Sequence, residues 1–128
     1  MRVAVTGASG LIGTRLRTAL TERGDEAISL PRSGYELGGL DAVVNLAGEP
    51  VAQRWTAAAK REIRDSRVLG TQRLIDALRI ADPRPGTLVS SSAAGYYGDR
   101  GDDVIDESTA RGVDFLAGVC VAWEQAAE

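Results

Sequence analysis

The clearest chemical signal in this chain comes from three glycines within its first thirteen residues. The run Val3-Ala4-Val5-Thr6-Gly7-Ala8-Ser9-Gly10-Leu11-Ile12-Gly13 goes from an apolar strand pattern into a turn, and then into a helical pattern. Each glycine answers a need of backbone that must meet a phosphate. Gly7 allows a tight turn, and Gly10 lets N–H groups approach a pyrophosphate with no Cβ in the way. Gly13 lets the new helix lie close on a sheet. A helix that starts here aims unpaired donors and its positive dipole end at the anion. Gly7, Ala8, Ser9, Gly10, Leu11, Ile12 and Gly13 are therefore expected to surround the pyrophosphate of a dinucleotide.

Arg32 is the second candidate. In dinucleotide folds an acidic residue near this point accepts hydrogen bonds from the ribose hydroxyls. This chain has Pro31-Arg32-Ser33 instead. A guanidinium in place of a carboxylate favours a 2′-phosphate, hence NADP(H) over NAD(H). Asn45, Leu46, Ala47 and Gly48 form a small-residue strand exit that suits backbone passing beside a cofactor. Ser90, Ser91 and Ser92 end another apolar run. Tyr96 and Tyr97 follow in a glycine-flanked loop, where a phenol could serve as acid or base.

The elements that must position these groups can be read from periodicity. Strands are expected from Val3, over Glu26–Leu30, over Asp41–Gly48 and over Thr87–Ser92, with the carboxyl ends of the strands on the ligand edge. The first helix carries apolar residues at Ile12, Leu16, Ala19 and Leu20. A long helix is predicted from Trp55 to about Ala81 on the stripe Ile63, Arg67, Gly70, Leu74, Ala77, Ala81, with Gly70 read as a close contact with the sheet. A final, strongly apolar helix runs from Val113 to Glu128 and needs cover on several sides. Only Gly34–Leu40 separates the second strand from the next, too short for a crossover helix and strand. Either the third strand of a full doubly wound unit is lost here, or Tyr35–Leu37 is its vestige. The fold class is α/β, a Rossmann-type parallel sheet with helices on both faces, incomplete on its C-terminal side.

Composition sets the outer limits. The 128 residues fit one domain, and the net charge of −3 argues against a nucleic-acid surface. Histidine is absent and Cys120 is the single cysteine, which excludes a zinc cluster or an internal disulfide. The Asp102-Asp103…Asp106-Glu107 carboxylates read as a solvated loop, and no metal is assigned. With no membrane-length apolar run or leader pattern, a soluble cytoplasmic domain is expected.

Taken in order, Gly7-x-x-Gly10-x-x-Gly13, Asn45-Leu46-Ala47-Gly48-Glu49-Pro50, Ser66-Arg67-Val68-Leu69-Gly70-Thr71, Gly95-Tyr96-Tyr97-Gly98 and Trp123-Glu124 resemble one family. It is the atypical extended short-chain dehydrogenase/reductase group, the nucleoside-diphosphate-sugar epimerase-like proteins. The resemblance covers the chain except Gly34–Leu40 and implies the N-terminal portion of a longer protein. It implies redox chemistry at a carbonyl or hydroxyl of an unidentified small molecule, and a homodimer through residues 55–81 and 113–128, the alternative for the apolar final helix being a contact with further sequence of the longer protein. It also gives Ser92, or as the alternative Ser91, as similar to the family's strand-end serine.

One departure bears on chemistry. Relatives use Tyr-x-x-x-Lys on the final helix, yet the only lysine here is Lys60. Aligned through Glu124, Leu116 and Cys120 stand in those two places, and neither performs that proton transfer. Ser92 and Tyr97 are the remaining catalytic candidates. A dinucleotide-binding or redox-sensing protein without turnover is the alternative. A fragment that binds nothing is a third reading.

Overall fold

The computed structural model describes residues 1–128. Strands β1 (Arg2–Thr6), β2 (Glu26–Ser29), β3 (Ala42–Asn45) and β4 (Thr87–Ser90) form one parallel sheet in the order β2-β1-β3-β4. Helix α1 (Leu11–Glu22) follows β1, α2 (Ala57–Ile80) joins β3 to β4, and α3 (Phe115–Ala127) ends the chain. A single 3-10 turn, Ala94–Tyr97, lies between β4 and α3. The Rossmann-type expectation holds, with helices on both sheet faces.

Alternation along the strands explains the two layers. Ala4 and Val43 face Leu74 and Leu78 of α2, with Leu88 packed at the margin of that cluster. Val3 and Val5 point the other way, onto Ala8, Leu16 and Leu20 around α1. β1 is the central strand, buried on both faces from Val3 to Thr6, as its unbroken apolar run requires.

Of the two readings of Gly34–Leu40, the structure selects loss of the third strand. No strand forms over Tyr35–Leu37, and β2 is the sheet edge. The short segment still does a strand's packing work. Leu37 and Leu40 are 2% and 7% exposed and plug the α2-side core against Ala4, Val43 and Leu74.

Helix ends depart from the predicted limits for reasons of capping. Thr56 caps α2 by accepting from the Ala59 N–H at 3.1 Å, which leaves Trp55 outside the helix. Asp114 caps α3 through the Ala117 N–H at 2.9 Å, so Val113 lies outside as well. In α1, Ile12 and Ala19 are exposed; only Gly13 and Leu20 are fully buried. Ile12 sits in the first turn, above the carboxyl edge of the sheet, where no element packs on it.

The role predicted for Gly70 is corrected. A Cβ built there meets nothing within 4 Å, so the position makes no close approach. The buried face of α2 is Ile63, Val68, Thr71, Leu74 and Leu78. α3 finds its cover on α2 and on the 3-10 turn, burying Ala117, Val119, Cys120 and Trp123. No helix is long and apolar enough to cross a membrane.

Candidate functional site

The glycine turn opens at the carboxyl end of β1. Gly7 takes φ +63°, a left-handed backbone that L side chains rarely adopt. Its position also leaves no room: a Cβ would stand 2.7 Å from the Leu46 carbonyl oxygen and 2.9 Å from the Ala47 nitrogen. Gly13 is as tightly constrained, since a Cβ there would lie 2.3 Å from the Gly7 oxygen. Gly10 is the N-cap of α1 and offers no side-chain cap. The N–H groups of Ser9, Leu11 and Ile12 have no hydrogen-bond partner in the protein. Leu11 and Ile12 are 86% and 66% exposed. The result is an open helix N-terminus with unpaired donors, edged by two uncovered aliphatic side chains, an arrangement chemically suited to an anion.

The exit of β3 is held against this turn by a buried polar network. Thr6 Oγ1 donates to Asn45 Oδ1 at 2.7 Å and accepts from the N–H groups of Leu46 and Ala47 at 3.0 and 3.2 Å. Asn45 Nδ2 donates to Thr71 Oγ1 at 2.9 Å and to Ser90 Oγ at 3.3 Å. Trp123 Nε1 donates to the same Thr71 oxygen at 3.0 Å. Asn45 is thus buried, with its amide fully engaged, and it fixes the ends of β1, β3 and β4 relative to α2 and α3. Leu46, Ala47 and Gly48 are the part of this stretch that reaches the open edge.

Gly48 lies against the Arg67 side chain. A Cβ at Gly48 would fall 2.8 Å from the guanidinium carbon, and the backbone does not take a left-handed turn there. Arg67 Nη1 donates to the carbonyls of Glu49 and Ile63, both at 3.0 Å. Its guanidinium lies 5.3 Å from the Trp123 ring centroid. Burial pulls the Arg67 pKa down, opposed by the nearby Cys120 and Glu49.

Past β4, Ser92 Oγ donates to Glu124 Oε1 in a short hydrogen bond. Both residues lie at the carboxyl edge of the sheet. Leu116 and Cys120 pack beneath the 3-10 turn: a Gly95 Cβ would meet Leu116 Cβ at 3.5 Å and Cys120 Sγ at 3.8 Å. Burial chiefly, and then the Glu124 carboxylate, push the Cys120 thiol pKa up, against the opposing pull of Arg67. Tyr96 and Tyr97 stack edge to face at 5.2 Å, both half-buried, and neither phenol hydroxyl has a partner.

Arg32 lies just beyond β2, the strand next to β1, and is exposed. Its side chain makes no ion pair, and only its carbonyl is engaged, by Tyr35 Oη at 3.2 Å. The structure therefore gathers the glycine turn, Arg32, the Leu46–Gly48 backbone, Ser92 and the tyrosine turn along one sheet edge. Thr6, Thr71, Arg67 and Glu124 were not singled out by sequence reasoning as site residues. A signal for one of them existed: Thr71 is a hydroxyl three residues before Leu74 on the apolar stripe of α2.

Comparison with known proteins agrees with this arrangement. The model of the NAD dependent epimerase/dehydratase family matches residues 35–114. The chain is 41% identical over 143 residues to an epimerase family protein of Mycobacterium bovis, covering 97% of this chain and 47% of that one. That alignment is longer than the whole chain, so the relative carries residues that this chain lacks. Among solved structures, the human epimerase family protein SDR39U1, crystallised with NADPH, superposes with a TM-score of 0.90 at 32% identity. It is matched over 100% of this chain and 49% of its own. A nucleoside-diphosphate sugar epimerase from Corynebacterium glutamicum gives a TM-score of 0.81 at 37% identity, over 99% of this chain and 30% of its own. The chain spans about half the length of the curated relatives it matches. With more than half of its residues matched by that model, on a sheet and turn of the same design, this chain belongs to the NAD dependent epimerase/dehydratase family.

Proposed function

We propose that residues 1–128 form the NADP(H)-binding domain of an epimerase/dehydratase-type oxidoreductase acting on a carbonyl or hydroxyl group. The observation that carries this reading is the open cradle at Gly7–Gly13. Its donors are unpaired, and two of its glycines stand where a Cβ would collide with backbone. The human relative was solved with NADPH, which supports the same cofactor here. Arg32, exposed and without an acidic partner, is placed to receive a 2′-phosphate beside the cradle.

The bound nicotinamide would supply or accept hydride. The protein's own part is to hold the pyrophosphate on the α1 N-terminus and to present the Leu46–Gly48 backbone along the cofactor's flank. Ser92 has its proton directed to Glu124, which leaves its oxygen lone pairs free to accept a hydrogen bond from a substrate hydroxyl. Tyr97 adds an unengaged phenol from the neighbouring turn. A second reading, cofactor binding without turnover, draws on Leu116 and Cys120, which pack beneath the 3-10 turn and which the resemblance, aligned through Glu124, puts in the places of the Tyr and Lys of the family.

The test is a calorimetric titration of the protein with NADPH and, in parallel, NADH. The proposal expects tighter binding of NADPH, with the preference lost in Arg32→Ala. A cooperatively folded protein that binds neither would overturn it.

A further inference from the structure

Arg67 stands out once the cofactor cradle and the Ser92–Glu124 pair have been described. It is half-buried, yet it forms no ion pair with any carboxylate. Glu49 is close enough to act on its charge, but only the Glu49 backbone carbonyl is bonded to it. Desolvating a guanidinium without a counter-charge is unfavourable, and such groups collect at sites that receive an anion.

Its donors are unevenly used. Nη1 serves two carbonyls, while Nε and Nη2 bond to nothing in the protein. Neither is sealed off, because Arg17 Nε is the only buried side-chain nitrogen or oxygen without a partner. The Nε–Nη2 edge of a guanidinium carries two parallel N–H groups, the fork that grips a carboxylate or phosphate with two bonds. The two Nη1 bonds and the nearby Trp123 ring restrain the guanidinium, so little motion need be frozen on binding. Gly48 keeps the space over the guanidinium clear, where any Cβ would press on it. The group also lies near the Ser92–Glu124 pair: the Cys120 thiol is close enough to feel the charges of both Arg67 and Glu124.

We infer that Arg67 is the recognition point for an oxyanion, a carboxylate or phosphate, carried by the substrate. That the anion belongs to a substrate rests on the NADP(H) reading above, in which the cofactor phosphates are taken by α1 and Arg32. Other duties of Arg67, such as tying the Glu49 carbonyl to α2, use Nη1 alone and leave the fork unexplained.

The test follows Trp123 fluorescence in a Trp55→Phe background, at constant ionic strength, with inorganic phosphate and separately acetate as probes. Each titration is run with and without saturating NADPH. Saturable binding of at least one anion is expected, persisting with NADPH bound. Affinity should fall by about tenfold or more in Arg67→Gln and stay low in Arg67→Lys, which keeps the charge but loses the fork. Gly48→Ala keeps the arginine and crowds it, and should also weaken the anion, which covers the case in which Arg67→Gln fails to fold. Which probe binds identifies the anion as carboxylate or phosphate. No Trp123 response to either anion, or an affinity in both Gly48→Ala and Arg67→Gln unchanged from that of the unmutated protein, overturns the inference. So does competition by NADPH together with weaker NADPH binding in Arg67→Gln, which would give this arginine to the cofactor. If NADPH fails to bind while the anion response persists, the cofactor reading falls and the oxyanion fork stands.

Discussion

Thr71→Val is the sharpest perturbation of the scaffold beneath the site. Valine keeps the shape of threonine but removes the oxygen that accepts from Asn45 Nδ2 at 2.9 Å and from Trp123 Nε1 at 3.0 Å. All three residues are at most 5% exposed, so water cannot replace the lost acceptor. A buried donor left without a partner costs about 1–3 kcal/mol. Trp123 bears that in full, whereas Asn45 keeps a weaker bond to Ser90 Oγ at 3.3 Å. The combined loss is therefore about 2–4 kcal/mol. Thr71→Ser retains the oxygen and gives up one methyl group, for about 1 kcal/mol. Urea unfolding followed by circular dichroism separates the two. With a slope of about 2 kcal/mol per molar urea, the valine midpoint falls by about 1–2 M and the serine midpoint by about 0.5 M. Valine and serine variants of equal stability, at unchanged slope, would refute the claim that this network holds the strand ends together.

Three further outcomes follow from the same packing. Leu37→Ala should destabilise the fold by about 2–5 kcal/mol in the same urea assay, because Leu37 fills core space where the third strand is lost. Gly70→Ala should stabilise by about 0.5–1 kcal/mol, since the site is mid-helix and its Cβ enters open space. Cys120 gives a pH dependence: its folded pKa lies above the ordinary thiol value of 9.0, so the folded state holds the proton more tightly. Its contribution is fully present below the unfolded pKa and is lost as pH rises through the folded one. Urea midpoints from about pH 8 to about pH 10 should fall less steeply in Cys120→Ala than in the native protein.

The sequence exposed what is local. The glycine turn, the start of α1, the four strands and the missing crossover at Gly34–Leu40 all depend on spacing within a few residues. Both long helices were placed within a few residues, and the differences came from the caps at Thr56 and Asp114. What stayed hidden is non-local. Thr71 meets Asn45 across 26 positions and Trp123 across 52, so no periodicity could join them. Ser92 and Glu124 are likewise 32 residues apart, and the pair forms only when α3 lies beside the exit of β4. Gly48 shows a related blind spot: read as room for backbone beside a cofactor, it also lies against the Arg67 guanidinium, a contact that no local spacing reveals. Gly70 is the converse, a glycine on an apolar stripe with nothing pressed against it.

The central claim is that the first turn of α1 holds the phosphates of a nicotinamide dinucleotide. The most direct measurement is amide chemical-shift mapping of the isotopically labelled protein during titration with NADPH. The account predicts saturable shifts greatest at Ser9, Gly10, Leu11 and Ile12, with Arg32 and Leu46–Gly48 next, and little change at the far ends of the strands. A folded protein whose Ser9–Ile12 amides stay unmoved, while others shift or none do, would contradict it.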